Sequence, residues 1–187
     1  MGRGHDDRRH GAARLVRQVS AGILLHRRGA GGEREVLLIH PGGPFWRGRD
    51  EGAWMIPKGG IAGGETALEA AVREFEEELG SPPLGTPVPL CTVRQKGGKW
   101  VEAFALEGGF DPAALRSNLF RLEYPPRSGS FRDFPEADEA RWFPLAEARR
   151  RMLASQRPIL DALEAALSRR TDADAGAAGS ADTGWAP

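Results

Sequence analysis

The sequence predicts an α/β fold in which β-hairpins are combined with two amphipathic helices. Three observations support this class. Apolar runs separated by glycine-rich turns indicate hairpins. A helix with clear start and stop signals follows the first hairpin, and leucines at helical spacing indicate a second helix near the C-terminal end. At 187 residues the chain is long enough for one well-cored domain and short for two. We therefore expect one α/β domain.

The strands are predicted from short apolar runs and the turns between them. Glycines at 29, 31 and 32 separate the first two runs, and Gly97-Gly98 separates a second pair. A long loop, 40–53, leads to the short apolar step Trp54-Met55-Ile56. The predicted strands are 19–25, 36–39, 91–94, 100–106 and 140–143.

The two ends of the chain differ in composition from its middle. Residues 1–16 are polar and without periodicity, which predicts a flexible N-terminal lead. Residues 171–187 consist mostly of small and polar residues, which predicts a disordered C-terminal tail. The folded domain is then expected at 17–170, and it ends in a helix after Pro158.

Charge and cysteine content exclude several classes. With 26 basic and 26 acidic residues, the net charge gives no sign of wholesale nucleic-acid binding. Cys91 is the only cysteine, so it has no disulfide partner within the chain, and its apolar neighbours predict a small buried side chain. No stretch has the apolar length of a signal peptide or a membrane span. We expect a cytoplasmic protein with no membrane partner, whereas its oligomeric state stays open.

A glutamate-rich helix is predicted at 66–79. Thr66 and Glu69 form a capping box at its start, and Gly80 and Pro82 mark its end. Its predicted buried stripe recurs at helical spacing, and three acids lie on another side beside two alanines. The stripe comprises Leu68, Ala71, Val72, Phe75 and Leu79; the acids are Glu74, Glu77 and Glu78, and the alanines are Ala67 and Ala70.

Three carboxylates on one helix side repel one another, by a few tenths of a kcal/mol per pair in an isolated helix. Arg73 can reach Glu77, four residues on, but one cation cannot neutralise three acids. A hard divalent cation such as Mg²⁺ can, because it prefers carboxylate oxygens and is often shared with phosphates. For the fragment Glu76-Glu77-Glu78 alone, a solvated acidic face is the simpler interpretation.

The spacing of the whole segment distinguishes these alternatives, because it resembles the Nudix signature. Gly59 is followed after five residues by Glu65, then by Arg73-Glu74, Glu77-Glu78 and Gly80. Ser81 departs from the pattern, which has an aliphatic residue there. The resemblance implies a Nudix-type α/β/α sandwich with a mixed central sheet. It also implies Mg²⁺-dependent cleavage of a phosphoanhydride bond in a nucleoside diphosphate derivative.

The resemblance also implies roles for individual residues. Glu74, Glu77 and Glu78 are expected to bind Mg²⁺, with Mn²⁺ as a substitute, and Arg73 to orient them through salt bridges. Glu65 matches the first signature glutamate, which supports the loop or the helix start. The general base comes either from the helix or from a later loop, where Glu136 is the candidate. An ordinary exposed loop acid is an equally simple interpretation of Glu136.

Substrate contacts are expected from basic residues near the signature. Lys58, with Gly59 and Gly60, directly precedes the catalytic loop and is placed to meet phosphates. Arg127 and Arg132 either close over phosphates or are surface charges. Phe45 and Trp46 either stack on a base or pin their loop. This loop resembles a bacterial subgroup of predicted nucleoside triphosphate pyrophosphohydrolases.

Two functions compete at this point. The first is an enzyme that hydrolyses a small nucleotide substrate, either a nucleoside triphosphate or a dinucleoside polyphosphate. The second is a Nudix-like sensor module that binds a nucleotide without cleaving it. Sensors of this kind usually lose signature glutamates, whereas this sequence retains them, so hydrolysis is favoured.

Overall fold

The structure, a computed structural model, describes residues 18–179, and their side chains up to residue 171. The predicted N-terminal lead, 1–16, lies outside the described residues. Eight strands and three α-helices follow in chain order. They are β1 (Val19–Arg28), β2 (Arg34–Pro41), β3 (Lys58–Gly60), α1 (Ala67–Leu79), β4 (Val88–Arg94), β5 (Trp100–Glu107), β6 (Leu119–Glu123), β7 (Phe131–Pro135), β8 (Ala137–Pro144), α2 (Leu145–Arg151) and α3 (Arg157–Gly179).

The central sheet is mixed. Its strand order is β4-β5-β1-β2-β8, and β3 pairs with β1 beside this path. Strand β1 is parallel to β5 and antiparallel to β2 and β3. Strands β4 and β5 form the second hairpin, around the turn at Gly97-Gly98. Both predicted hairpins and the mixed sheet are confirmed.

Two apolar layers cover the sheet, because buried side chains alternate along its central strands. One layer joins β1 residues such as Ile23 to the buried face of α1, including Phe75 and Leu79. The other joins Leu24 and Leu38 to α2 and α3. Helices thus cover both faces of the sheet, and the predicted α/β/α sandwich is confirmed.

Helix α1 begins and ends as predicted. Thr66 and Glu69 form both hydrogen bonds of the capping box, and Gly80 ends the helix with a left-handed φ of 86°. Its buried face differs from the predicted stripe, because Leu68 is 36% exposed and Val72 only partly buried, whereas Ala70 and Glu78 are buried. The sheet therefore lies against the side of α1 that carries Ala70, so this alanine does not leave space beside the acids.

Residues 125–134, expected to be a loop, belong largely to a hairpin. Strands β6 and β7 pair antiparallel in a separate two-stranded sheet. Phe120 lies opposite Phe134, with ring centroids 6.1 Å apart, and Tyr124 meets Phe134 edge to face. Most of the other hairpin residues are exposed or half-buried, so the hairpin lacks the apolar alternation by which strands are recognised in a sequence.

The C-terminal helix continues beyond its expected end. Helix α3 runs to Gly179, whereas disorder was expected from residue 171; residues 180–187 lie outside the described part of the chain. Ile159, Leu160 and Leu163 bury its first turns against the sheet. No helix in the described residues is long and apolar enough to cross a membrane.

Candidate functional site

Strand β3 places the start of the signature against β1 and under helix α1. Gly59 pairs with Ala21, and Gly60 pairs with Ser20. A Cβ added at Gly59 would overlap the carboxylate of Glu74. Glycine at this position therefore lets Glu74 lie directly over the strand, with its side chain 13% exposed.

Arg73 connects the acids of the signature. Its Nε donates to Glu65 at 2.9 Å, and its Nη1 donates to Glu74 at 2.7 Å and to Glu77 at 3.0 Å. Its Nη2 donates to the Gly60 carbonyl at 2.8 Å, which ties α1 to β3. Hydrogen bonding to Arg73 holds the pKa of Glu65 below its usual value. The expected contact between Arg73 and Glu77 is present, and the guanidinium fixes the directions of three carboxylates.

Glu78 is buried, in contrast to the exposed position expected for it. Only 9% of the residue is accessible, and its Oε2 accepts the backbone N–H of Lys58 at 2.9 Å. Burial raises the pKa of Glu78 to about 8. Lys58 opposes this rise in pKa, whereas the charges of Glu74 and Glu136 add to it. Glu78 is therefore buried against β3, and the positive charge of Lys58 does not offset the cost of burying the Glu78 carboxylate.

Glu136 joins the acidic group from the junction of β7 and β8. Its backbone N–H donates to Asn118 O at 2.9 Å, and its carbonyl accepts the N–H of Gly42 at 3.0 Å. Its Oε2 is buried and has no hydrogen-bond partner within the described residues. Burial raises the pKa of Glu136, followed by the charges of Glu74 and Glu77. This acid therefore lies within electrostatic reach of α1.

Two residues without any sequence signal hold the C-terminal end of α1. Arg116 N–H donates to Leu79 O at 3.1 Å, and Asn118 N–H donates to Glu77 O at 2.8 Å. The chain passes so close to Gly80 that a Cβ there would overlap Arg116. A cavity of about 400 Å³ opens beside this junction, lined by Arg73, Glu76, Glu77, Gly80, Arg116 and Asn118.

Comparison with protein families supports what this geometry indicates. The family model of the NUDIX domain matches residues 16–163, which is most of the chain. The chain belongs to the Nudix family. Its predicted membership of the Nudix hydrolases is confirmed, and the signature helix lies within the matched segment.

Two curated relatives and one solved structure illustrate the similarity. An octanoyltransferase of Myxococcus xanthus is 31% identical over 149 residues, covering 79% of this chain and 36% of that protein. An RNA pyrophosphohydrolase of Alkalilimnicola ehrlichii is 46% identical over 58 residues, covering 30% and 32%. The crystal structure of a C. elegans Ap4A hydrolase binary complex has a TM-score of 0.56 at 22% identity, covering 80% and 98%, which shows the shared Nudix fold. The matches span about a third of the length of these two curated relatives.

The acids of the signature helix, together with Glu136, are chemically suited to bind a hard divalent cation. Glu74, Glu77, Glu78 and Glu136 offer only carboxylate oxygens, the ligands that Mg²⁺ prefers, and the buried Glu136 Oε2 has no other partner. Among the described side chains, no three His, Cys, Asp or Glu groups converge as a ready metal cluster. The carboxylates are instead directed toward Arg73 and the Lys58 N–H.

The basic residues expected to contact substrate do not lie together in the structure. Lys58 lies on β3 beside Glu78, whereas Arg127 lies in the turn of the β6–β7 hairpin, with a φ of 63°. Arg127 and Arg132 are both exposed, and no described hydrogen bond or ion pair joins either of them to the signature. Phe45 is 56% exposed and meets Tyr124 edge to face. Trp46 packs partly buried against the core.

Proposed function

We propose that this Nudix protein is a Mg²⁺-dependent hydrolase that cleaves a phosphoanhydride bond in a nucleoside diphosphate derivative. The observation that carries the proposal is the pairing of Arg73 with Glu74 and Glu77, with Glu78 and Glu136 within electrostatic reach of Glu74. Burial and mutual repulsion raise the pKa of Glu78 and of Glu136. This excess of negative charge would be relieved by a divalent cation shared with substrate phosphates.

Glu74, Glu77 and Glu78 would hold the cation, with Mn²⁺ as a substitute for Mg²⁺. When bound, the cation neutralises charge on the phosphate oxygens. Arg73 keeps Glu74 and Glu77 in fixed directions, so little reorganisation is needed when phosphates bind. The Lys58 amino group, at the edge of the acids, would contact a phosphate as a point charge.

Glu136 is the proposed general base. Its raised pKa makes its carboxylate a stronger proton acceptor than an exposed glutamate. In the proposed step, Glu136 Oε2 takes a proton from water while the water oxygen bonds to phosphorus. The anhydride P–O bond breaks at the same time, and the leaving phosphate departs with the bonding electrons. The atoms of substrate and water are then divided between two phosphate products.

Nucleoside triphosphates and dinucleoside polyphosphates are the proposed substrates. The phosphoanhydride is the group common to both classes, and the acids around Arg73 favour a phosphate chain bound together with a cation. Two similar proteins are named RNA pyrophosphohydrolase and Ap4A hydrolase, which is consistent with this bond type. A small nucleotide is preferred to RNA because the chain carries no net positive charge.

The test is a substrate panel in which each product is identified with Mg²⁺, with Mn²⁺ and with EDTA. The panel contains a nucleoside triphosphate, a dinucleoside tetraphosphate, a sugar nucleotide and RNA with a 5′-triphosphate. Oxygen-labelled water identifies the attacked phosphorus, because the label stays on that phosphate. The proposal requires cation-dependent cleavage of at least one compound and its loss in Glu77→Gln. Binding without cleavage across the panel would instead support a sensor module.

A further inference from the structure

The loop between β2 and β3 borders a second cavity, which the proposed reaction does not use. Its volume is about 600 Å³, and we call it the loop cavity. Its wall carries Trp54, Glu139 and six further polar or charged residues. These six are His40, Arg47, Arg49, Asp50, Asp138 and Arg141. Its volume falls within the range of roughly 300 to 1,000 Å³ that is usual for small-ligand pockets.

The loop cavity lies across the sheet from the signature acids. Trp54, on its wall, belongs to the apolar layer of α2 and α3, together with Phe143. Helix α1 packs in the opposite layer. A molecule in the loop cavity would therefore occupy the sheet face away from α1.

The carboxylates of the loop cavity are already engaged. Asp50 is ion-paired with Arg151 and accepts the Trp54 indole N–H at 2.9 Å. Asp138 accepts from His40 Nδ1 at 2.7 Å. Glu139, also on the wall, accepts from Arg141 Nε at 3.0 Å. Each acid thus already has a cationic or N–H partner.

Two arginines of the loop cavity have no acidic partner among the described residues. Arg47 and Arg49 are exposed, and no described carboxylate lies within ion-pair distance of either guanidinium. His40 holds the backbone of Arg49 in position, since its Nε2 lies 2.8 Å from the Arg49 carbonyl oxygen. His40 thus lies between the Asp138 carboxylate and the Arg49 carbonyl. The loop is therefore fixed to β2 and β8 next to the guanidiniums of Arg47 and Arg49, and that of Arg49 lies 5.8 Å from the centroid of the Trp46 ring.

We propose that the loop cavity binds a phosphate-bearing ligand of nucleotide size. Arg47 and Arg49 would form charge-assisted hydrogen bonds to its phosphate oxygens, for which the planar guanidinium is well suited. The fixed loop backbone lowers the ordering cost of binding. This site requires no divalent cation, in contrast to the signature acids.

The test measures binding of AMP, inorganic pyrophosphate and adenosine in EDTA by titration calorimetry. AMP and pyrophosphate are expected to bind and uncharged adenosine is not, with an affinity that weakens as salt is added. The double variant R47A/R49A should lose about tenfold or more in affinity, from the loss of charge-assisted hydrogen bonds. A matched control, R28A/R121A, removes the same charge from two exposed arginines elsewhere and should bind as the parent does.

Glu77→Gln separates this site from the proposed catalytic site. It should bind AMP in EDTA with unchanged affinity, even though it lacks a signature acid. The inference is overturned if AMP and pyrophosphate fail to bind the parent, if R47A/R49A binds as tightly as the control, or if Glu77→Gln abolishes binding. None of these results depends on whether the protein hydrolyses nucleotides.

Discussion

Replacing Glu78 by glutamine is expected to stabilise the cation-free protein at alkaline pH while abolishing hydrolysis. Burial raises the pKa of Glu78 from 4.5 to about 8, so the folded protein binds this proton more tightly than the unfolded chain does. The resulting stability is fully present below pH 4.5, is lost as pH rises to about 8, and stays lost above it. Glutamine cannot ionise, and its carbonyl oxygen can still accept the Lys58 N–H.

The size of the effect follows from the two pKa values. The step from 4.5 to about 8, at about 1.36 kcal/mol per pH unit, sets a ceiling of about 5 kcal/mol. Relaxation around the ionised carboxylate reduces this figure, so we expect Glu78→Gln to be more stable than the parent by about 2 to 4 kcal/mol near pH 9. Near pH 4 the two proteins should differ little, because both then carry a neutral side chain.

Urea unfolding in EDTA across this pH range measures the difference. Glu76→Gln is the matched control, because Glu76 is exposed on the same helix and should show no comparable pH dependence. A stability gap between parent and Glu78→Gln that stays constant from acid to alkaline pH would refute the reasoning. Adding Mg²⁺ at alkaline pH should raise the stability of the parent more than that of Glu78→Gln, since the cation binds the folded state.

Three further predictions concern neighbouring contacts. Gly59→Ala should weaken Mn²⁺ binding by about tenfold or more, because the added Cβ displaces Glu74. Gly63→Ala is the control, since a Cβ there meets open space, and it should bind Mn²⁺ as the parent does. Titration calorimetry measures the Mn²⁺ affinity of both variants. Arg73→Lys should lower kcat/KM by about ten- to a hundredfold with little change in Tm, because an ammonium cannot reproduce the guanidinium fork. Gln156→Met should lower the free energy of unfolding by about 1 kcal/mol, because Gln156 accepts a buried backbone N–H at 3.1 Å; urea unfolding tests this.

The features predicted correctly from the sequence are those whose cause is local. Helix α1 is bounded by Thr66 and Gly80, which act on backbone groups within one turn of themselves. The hairpins around 29–32 and 97–98 combine glycine turns with apolar runs, which are largely buried in β1, β2 and β5. The contact between Arg73 and Glu77 follows from helical spacing alone. In each case the signal and the structure it produces lie within a few residues.

The features that the sequence did not predict depend on partners distant along the chain. Glu78 lies between the acidic side and the apolar stripe of α1, and only the approach of β3, 20 residues earlier, buries it. Leu68 is exposed because the sheet lies against the side that carries Ala70. The β6–β7 hairpin is held by aromatic contacts with the loop at Phe45, which no local periodicity indicates.

The spacing of the signature has a common structural explanation. Gly59 leaves room for Glu74, and the neighbouring strand backbone accepts Glu78 into a buried position. Gly80 lets the returning chain pass against the end of α1, which positions the segment that hydrogen-bonds to Glu136. The two glycines thus let Glu74 lie beside Arg73 and let the segment that holds Glu136 pass against the end of α1. Because the charge of Glu74 raises the pKa of both Glu78 and Glu136, we expect these acids to respond to a bound cation as a coupled group rather than as independent ligands.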